Sequence, residues 1–371
     1  MHDGGESAMI SAMTHSDAQR DDSWIRRLNR IHPLVWLLAP GLTALALAPA
    51  GLVLLTLAGL ICFILPGIIL TRRLLPEGGS RLFFWAAAIP AGYLLSTAIS
   101  IALILCTGFH PGLCMGTVLL SGLAALAADR RRRQRKSGSS PSGDIDTGLI
   151  ARNEPAPGFL ISGLCVVLLL VVLLAIPYGN VGVRTDSGIA YRAYYSGDYL
   201  KHVAVTAELL RGVLPPDNPY FAGEKLHYYW MFYVFPALIG RIAGSETIEP
   251  VLQTVNLALA GAFVWLWILT VRHAIRRRWL RFLVILMPFC FASFEGVAVF
   301  REVMAKGWPW DGFRAYNVDG YARWIFGQLE IDTVFRLLQY NMQHILPAAF
   351  FLVFLNRFDS RRHVSRQTAA I

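Results

Sequence analysis

One stretch of the chain carries most of the side chains that could do chemistry, residues 197–230, GDYLKHVAVTAELLRGVLPPDNPYFAGEKLHYYW. Asp198, His202 and Thr206 follow one another at four-residue spacing, so in a helix they share one face. A carboxylate and an imidazole on one face can together take a proton from a hydroxyl group. A second interpretation stays open at this point, in which Asp198 is a helix N-cap that pairs with Lys201.

The residues that follow this helix predict that the chain folds back. The prolines of the segment LPPDNP push the residues before them out of the helical region, so the segment is extended and turn-like. We expect this geometry to bring His227, Tyr228 and Tyr229 close to Asp198 and His202. The stretch would then form one wall of a cavity.

Composition indicates that these residues belong to a membrane protein. The 371 residues are 55% hydrophobic and 16% charged, whereas about a quarter of the residues of a soluble domain are charged. The formal net charge is +10, but the basic residues stand in short blocks between apolar runs. That pattern is typical of the cytoplasmic ends of membrane helices and argues against nucleic acid as a partner. The fold class predicted is an all-α polytopic membrane protein.

The apolar stretches predict about eight transmembrane helices. Two short helices lie within 36–70, and the other six are 82–106, 113–128, 159–177, 251–271, 280–300 and 341–355. Every basic block is then cytoplasmic, provided that the aromatic segment 228–244 does not cross but forms a juxtamembrane helix in the first large outer loop. This topology predicts a multi-pass protein of the cell inner (plasma) membrane with a cytoplasmic N-terminus.

The same pattern divides the chain into five segments. They are a disordered cytoplasmic N-terminus (1–31), a four-helix membrane module (32–128), a basic cytoplasmic linker (129–158), a membrane core (159–356) with outer loops 178–250 and 301–340, and a cytoplasmic tail (357–371). Cys106 and Cys114 flank a short turn between two helices, where they either form a disulfide or remain small apolar thiols. The spacing of Cys and His residues does not indicate zinc.

The motifs GDYLKHVAVTAELLRG, LPPDNPYFAG and LHYYW resemble the first outer loop of the polytopic YYY membrane proteins. More widely, they are similar to the GT-C (fold-C) glycosyltransferases, which take sugars from polyprenyl-phosphate carriers. The resemblance covers about residues 159–355, and PPDNPYFAG…HYY is its most specific part. It implies a GT-C-like core that transfers a sugar from a lipid-linked donor to a cell-envelope acceptor on the outer side of the membrane. By this resemblance Asp198 is the catalytic carboxylate with His202 beside it, and Asp186 is the reserve candidate.

A departing polyprenyl phosphate needs positive charge, which Lys201, Arg184, Arg192 or Lys225 could supply. A divalent metal could take the place of one of them, although no ligand spacing in the sequence identifies a metal site. The other residues predicted to bind substrate are the aromatic and histidine group His227, Tyr228 and Tyr229.

Three ionisable residues lie elsewhere in the predicted core. Glu295 falls late in the seventh helix, near the outer leaflet, and an ionisable residue inside a span is a functional hypothesis by default. His344 lies at the outer end of the last helix. Asp319, in the second outer loop, either binds substrate or forms a local ion pair with Arg323 at i+4.

An alternative function is a non-catalytic transport or assembly component of envelope polysaccharide synthesis. In that case the outer loops would bind a lipid-linked sugar without chemistry. The predicted partners under both hypotheses are the lipid-linked sugar donor and membrane lipids. The GT-C enzymes have more helices after the second outer loop, so the expectation is that this sequence is a truncated gene, a fragment, or one half of a pair whose partner membrane subunit supplies the missing helices.

Overall fold

A computed structural model describes residues 31–75, 80–138, 155–179, 181–191, 198–244, 248–290, 301–302, 304–307 and 334–368. The structure is about 80% helical. Its helices are α1 (Pro33–Leu38, continued by a 3-10 helix Ala39–Ala46), α2 (Ala50–Ile64), α3 (Gly67–Leu74), α4 (Arg81–Thr107), α5 (Pro111–Gly138), α6 (Pro157–Tyr178), α7 (Asp198–Leu210), a 3-10 turn Trp230–Tyr233, α8 (Val234–Ala243), α9 (Ile248–Ala274), α10 (Arg278–Cys290), α11 (Val334–Tyr340) and α12 (Met342–Thr368). Two antiparallel strands, β1 (Val181–Thr185) and β2 (Gly188–Tyr191), form a hairpin after α6.

Four helices of the described part, α4, α5, α6 and α9, are long and apolar enough to cross a membrane. A fifth crossing is formed if α2 and α3, which are bent by 48° at a short break, count as one span. The chain is therefore a multi-pass, all-helical membrane protein, as its composition predicts. Eight spans remain a prediction, because α1 with its continuation and the apolar part of α12 are shorter and residues 291–300 lie outside the described residues.

Helix α9 is the centre of the bundle. Its most apolar window is 89% buried within the protein, and it packs against α1, α2, α4, α6, α8 and α12. Small residues allow this close packing: Gly163 of α6 lies against the ring of Trp265, and Gly261 lies against Pro40. Trp265 is fully buried. Small residues at helix contacts are how membrane bundles bring backbones together.

The bend between α2 and α3 is set by Pro66 and by a close helix crossing. A Cβ at Gly67 would overlap the backbone of Ala88 and Gly92, and a Cβ at Gly92 would overlap the backbone of Ile64. The backbones of α3 and α4 therefore touch, which only glycine allows. The two helices predicted within 36–70 are present and are separated by a turn at residues 47–49, but the second runs on past the bend to Leu74.

The basic blocks meet at one end of the bundle, here called the basic end. Arg72 at the end of α3 forms an ion pair with Asp129 of α5. The guanidinium of Arg272, near the end of α9, lies 4.7 Å from the ring centroid of Phe159 at the start of α6. Asn356 Nδ2 of α12 donates a hydrogen bond of 2.9 Å to Thr270 Oγ1 of α9. The opposite end, the loop end, carries the α4–α5 turn, the β-hairpin and the loop between α7 and α8.

One predicted boundary is wrong. The sequence indicates that the fourth helix ends at Ala128 and that a linker begins at residue 129, whereas α5 continues as a helix to Gly138. The reason is physical: Arg, Lys and Gln are good helix formers, so a basic run extends a helix out of the membrane instead of ending it. Residues 139–154 of the predicted linker lie outside the described residues.

Candidate functional site

Helix α7 turns its polar face toward the protein interior. His202 and Thr206 are 2% and 0% exposed, and Thr206 Oγ1 donates a hydrogen bond of 2.7 Å to the carbonyl of His202. The two residues share one face, as predicted. That face does not line an open cavity as expected, however, because α8 and the 3-10 turn before it pack directly against α7.

The side chain of His202 is enclosed by aromatic rings. Its ring centroid lies 5.1 Å from that of Tyr233 and 6.5 Å from that of Tyr228. Tyr233 Oη donates to Gln343 Oε1 at 3.2 Å, and Gln343 Nε2 donates to Asn341 Oδ1 at 3.1 Å. These contacts connect α7, the turn before α8 and the start of α12. Buried polar groups without a hydrogen-bond partner are costly, so the bonds between Tyr233, Gln343 and Asn341 stabilise this packing.

The segment predicted to form a juxtamembrane helix contains the ten-residue helix α8, but most of this helix is not exposed at the surface of the bundle. Residues 232–240 are all buried, in contact with α2, α4, α5 and α9. Tyr93, near the middle of α4, donates a hydrogen bond of 2.6 Å to the carbonyl of Phe232, and the ring of Phe235 packs 4.7 Å from that of Phe63. Among the aromatic residues that suggested an interfacial helix, Phe232, Tyr233 and Phe235 are instead packed inside the protein, whereas Tyr229 is exposed. Gly59 of α2 leaves the space that Ile239 fills.

The loop between α7 and α8 is closed by its own backbone. Leu226 N donates to the carbonyl of Pro216 at 2.9 Å, and Asn218 N donates to the carbonyl of Glu224 at 2.8 Å. Asp217 and Lys225 pair both through the backbone and through an ion pair of 2.6 Å. The proline-rich residues thus form a small hairpin, here called the proline loop (residues 214–227), that folds back toward α7 as predicted.

A cavity of about 380 Å³ lies between the proline loop and α7. It is lined by Lys201, Asn218, Tyr220, Phe221, Glu224, Lys225, Leu226, His227 and Tyr228. The ammonium of Lys201 lies 4.6 Å from the ring centroid of Tyr228. A volume of this size is within the range of small-molecule sites.

Charged side chains of both signs surround the cavity. Lys225 lies beside Asp217, and their hydrogen bond holds the pKa of that carboxyl below its ordinary value, so the carboxylate stays charged and offsets Lys225. Lys201 adds a cation over an aromatic face, and Glu224 adds a carboxylate. Such a cavity can hold an anionic group beside Lys201 and stack a ring on its aromatic faces.

A second polar cluster fixes the start of α9 next to the β-hairpin. Tyr191 Oη donates to Glu249 Oε1 at 2.5 Å. Burial, followed by the hydrogen bond and the charge of Glu249, raises the pKa of Tyr191 well above its ordinary value, so the phenol stays protonated.

A third group of polar contacts lies beside it. Tyr178 Oη donates to the carbonyl of Gln339, and Asn256 Nδ2 donates to Tyr178 Oη at 3.2 Å. These contacts hold the loop end of α6 and α9 against α11.

The structure brings together part of the predicted site. Lys201, His227 and Tyr228 line the cavity, and the proximity of Tyr228 to His202 is confirmed. Tyr229 lies 4.6 Å from Tyr228, and the ring of His344 meets Tyr229 edge-on at 5.2 Å, ring centroid to ring centroid. These residues therefore form one aromatic and cationic cluster, although their role in binding substrate stays a prediction.

The other predicted residues are not in the cavity or are not described. Asp186 lies exposed in the turn of the β-hairpin and is not among the residues that line the cavity. Asp198 begins α7 and Arg184 lies in β1, but the structure describes only their backbones, so neither the catalytic nor the N-cap interpretation of Asp198 is tested. Arg192, Glu295 and Asp319 lie outside the described residues.

Sequence reasoning missed half of the cavity wall. Asn218, Tyr220, Phe221, Glu224 and Leu226 line the cavity, but the sequence suggested only a turn for them. The signal was present in the motif PPDNPYFAG, which mixes two exposed aromatic residues with turn residues. A turn alone needs no aromatic side chains.

Two further expectations concern metals and cysteines. Within the described residues, no three His, Cys, Asp or Glu side chains form a group that could hold a metal ion. Cys106 and Cys114 are both free thiols, the first exposed and the second buried, so they do not form the disulfide that the sequence left open.

The fold and the cavity define a multi-pass helical membrane protein with a cavity at its loop end that is lined by aromatic and charged side chains. Comparison with known proteins finds no matching family, no matching curated protein and no matching solved structure.

Proposed function

We propose that this protein is a membrane glycosyltransferase that transfers a sugar from a polyprenyl-phosphate donor to a cell-envelope acceptor. The observation that carries the proposal is the cavity in which Lys201 lies over Tyr228, with the buried His202 behind the same ring. Cation, aromatic face and imidazole are the groups that a sugar phosphate needs for binding and for proton transfer. The resemblance of the loop sequence to the GT-C glycosyltransferases supports the same function.

The charge distribution supports an orientation in the inner (plasma) membrane. The basic blocks at the ends of α3, α5 and α9 meet at the basic end, and basic segments stay on the cytoplasmic side. The N-terminus and the basic end then lie in the cytoplasm, and the cavity faces the outer side. That is the side on which a lipid-linked sugar would meet a cell-envelope acceptor.

The proposed reaction is an inverting displacement. The acceptor hydroxyl oxygen forms a bond to the anomeric carbon, and the bond from that carbon to the phosphate oxygen breaks. The phosphate leaves with the bonding electron pair, and the acceptor proton passes to a base, for which Asp198 and His202 are the candidates. Lys201 would stabilise the leaving phosphate, and Tyr228 offers a face for the sugar ring.

The remaining candidates take binding roles in this proposal. His227 and Tyr229 lie in or beside the cavity cluster, and His344 contacts Tyr229. The sequence is the basis for the substrate-binding roles that we propose for Arg184, Asp186, Glu295 and Asp319. A divalent metal in place of one cation is part of the same proposal.

The test is sugar transfer by membranes that contain the full-length protein, supplied with a polyprenyl-phosphate sugar. We expect Asp198→Asn or His202→Gln to lower transfer by roughly 10²–10⁴-fold, the usual contribution of a general base. Glu208→Gln, on the same helix but in a surface ion pair with Arg211, is the matched control and should retain activity. Unchanged transfer by both base variants, each with a wild-type melting temperature, would remove these residues from the mechanism.

A non-catalytic transport or assembly role, with or without a partner membrane subunit, is the second candidate. It is favoured by the burial of His202, which leaves 2% of the residue accessible behind Tyr228 and Tyr233. A base must reach its substrate, so a permanently covered imidazole would fit binding better than catalysis. Donor binding without any sugar release by the purified protein would favour this role.

A further inference from the structure

The tip of the proline loop carries two aromatic side chains that face outward. Tyr220 is 58% exposed and Phe221 is 67% exposed, although each also borders the cavity. Aromatic side chains that stay exposed to water do not gain the free energy that comes from burying apolar surface. In a membrane protein, however, Tyr and other aromatic rings are enriched where the lipid headgroups lie.

The tip is held in this shape before it meets any partner. Tyr220 N donates to Asn218 Oδ1 at 3.0 Å, Phe221 N donates to the carbonyl of Asn218 at 3.3 Å, and Glu224 N donates to the carbonyl of Phe221 at 3.3 Å. The Asp217–Lys225 pair closes the base of the tip. Because the hydrogen bonds already fix the tip, little conformational entropy is lost when its two rings bind.

The base of the loop is fixed at the level where two spans end. Gly212, which has φ +81°, lies so close to Phe109 that a Cβ at this position would be 2.5 Å from the Phe109 Cβ. Phe109 lies in the turn between α4 and α5, and both of these helices are candidate membrane spans. The proline loop therefore starts at the membrane boundary, close to lipid headgroups.

The charges next to the tip form ion pairs. Lys225 is about half exposed and Arg211 is more exposed still, and both lie at the base of the loop. Lys225 is paired with Asp217 and Arg211 with Glu208, so these two ion pairs bring no net charge to the headgroup level. The two aromatic rings therefore carry the contact with the membrane interface.

We propose that Tyr220 and Phe221 insert into the headgroup region of the bilayer that surrounds the protein. These two side chains then anchor the proline loop to the membrane. The mouth of the cavity lies at headgroup level, where ligands that diffuse in the membrane can enter it. This contact goes beyond the proposed transfer reaction and does not depend on it. Its test needs no substrate.

The direct test measures the depth of a nitroxide spin label in the full chain, reconstituted in lipid nanodiscs after the native cysteines are replaced. The label is placed by Phe221→Cys, with Asp186→Cys in the exposed hairpin turn as the water-exposed reference and Leu169→Cys on the exposed side of α6 as the lipid-exposed reference. We expect the label at 221 to collide with oxygen several-fold more often, relative to a water-soluble nickel chelate, than the label at 186. A label at 221 that matches the one at 186 would overturn the proposal.

A second measurement keeps every native cysteine, for the case in which the cysteine-free chain does not fold. A benzophenone amino acid replaces Phe221 or, as a control, Asp186, and the full-length protein is irradiated in nanodiscs. We expect lipid adducts at 221, detected by mass spectrometry, and none at 186. Equal lipid labelling at both positions, or none at 221, would contradict insertion.

Discussion

The ammonium of Lys201 lies 4.6 Å from the centroid of the Tyr228 ring, and this contact joins α7 to the end of the proline loop. On the same ring, His202 stacks from the protein interior at 6.5 Å. One tyrosine thus contacts both a cavity-lining cation and a buried imidazole. The proposed site depends on this arrangement, because Tyr228 is the residue that the cavity shares with the enclosed His202.

Replacement of Lys201 by Ala or by Arg should show whether the positive charge at this position binds polyprenyl phosphate. Lys201→Ala removes both the cation and its ring contact, and a cation–π pair with a charge-assisted bond contributes about 1–2 kcal/mol. We expect binding of sugar-free polyprenyl phosphate in nanodiscs to weaken roughly 5- to 30-fold. Lys201→Arg keeps the charge and should stay within about threefold of wild type.

Arg211→Ala is the matched control for this series, because Arg211 follows α7 directly but forms a surface ion pair with Glu208. We expect no change in binding beyond about twofold. A loss with Arg211→Ala as large as that with Lys201→Ala would show that general basic charge, and not the cavity, attracts the lipid.

Membrane sidedness can be measured with cysteine labelling in intact cells. In a cysteine-free chain, Lys225→Cys on the proline loop should react with a membrane-impermeant maleimide. Arg277→Cys, exposed between α9 and α10, should react only after the cells are permeabilised, because basic segments remain in the cytoplasm. The opposite labelling pattern would place the cavity in the cytoplasm and contradict transfer on the outer side.

The crossing of α4 with the bend between α2 and α3 should tolerate no side chain. A Cβ at Gly92 would overlap the backbone of Ile64, whereas a Cβ at Gly116 of α5 would meet no atom within 4 Å. We expect Gly92→Ala to cost at least 1–3 kcal/mol of stability or to prevent folding, as overpacking does. Gly116→Ala should keep or slightly raise the melting temperature in detergent, because Ala favours the helix more than Gly does. A loss of stability as large as that of Gly92→Ala, or no loss in either variant, would contradict the close crossing.

The long apolar helices could be predicted from the sequence. Predicted spans at 82–106, 159–177 and 251–271 correspond to α4, α6 and α9, each longer by a few residues at its ends, because hydrophobicity over a span is a local property of the chain. The burial of α8 could not be predicted. The aromatic residues at its start suit a membrane interface as well as a protein core, and contacts with other helices, such as that of Ile239 with the space at Gly59, decide between them.

The site shows the same division. The fold-back of the proline loop follows from its prolines, so the proximity of Tyr228 to His202 was predictable. That Lys201 rather than His202 lines the cavity was not, because α7 is apolar around most of its circumference and its orientation is set by contacts with α8. Periodicity identifies which residues share a face and does not identify what that face meets.

Acid should loosen the proline loop. The hydrogen bond from Lys225 is the largest cause of the lowered pKa of Asp217. A carboxyl whose folded pKa is depressed stabilises the folded loop above the ordinary Asp value of 3.8, and this contribution is lost as the pH falls through the lower folded pKa. We expect hydrogen exchange at Asn218 and Leu226, corrected for the intrinsic rate, to speed up as the pH drops from about 5 to about 3.

Asp217→Asn is the control for the pH dependence, because it removes the titrating group. The variant loop should exchange faster than wild type at about pH 5 and change little on further acidification. A wild-type loop that exchanges equally fast, relative to the intrinsic rate, at both pH values would mean that the ion pair does not hold the loop closed.

The most direct measurement of the central claim is release of sugar from a radiolabelled polyprenyl-phosphate sugar by the purified full-length protein in nanodiscs. The proposal predicts that wild type converts the donor when a hydroxyl acceptor is present, and that Lys201→Ala and His202→Gln convert it at least tenfold more slowly while retaining the wild-type melting temperature. Donor that binds but stays intact with wild-type protein, or equal conversion by all three proteins, would contradict a sugar-transfer site in this cavity.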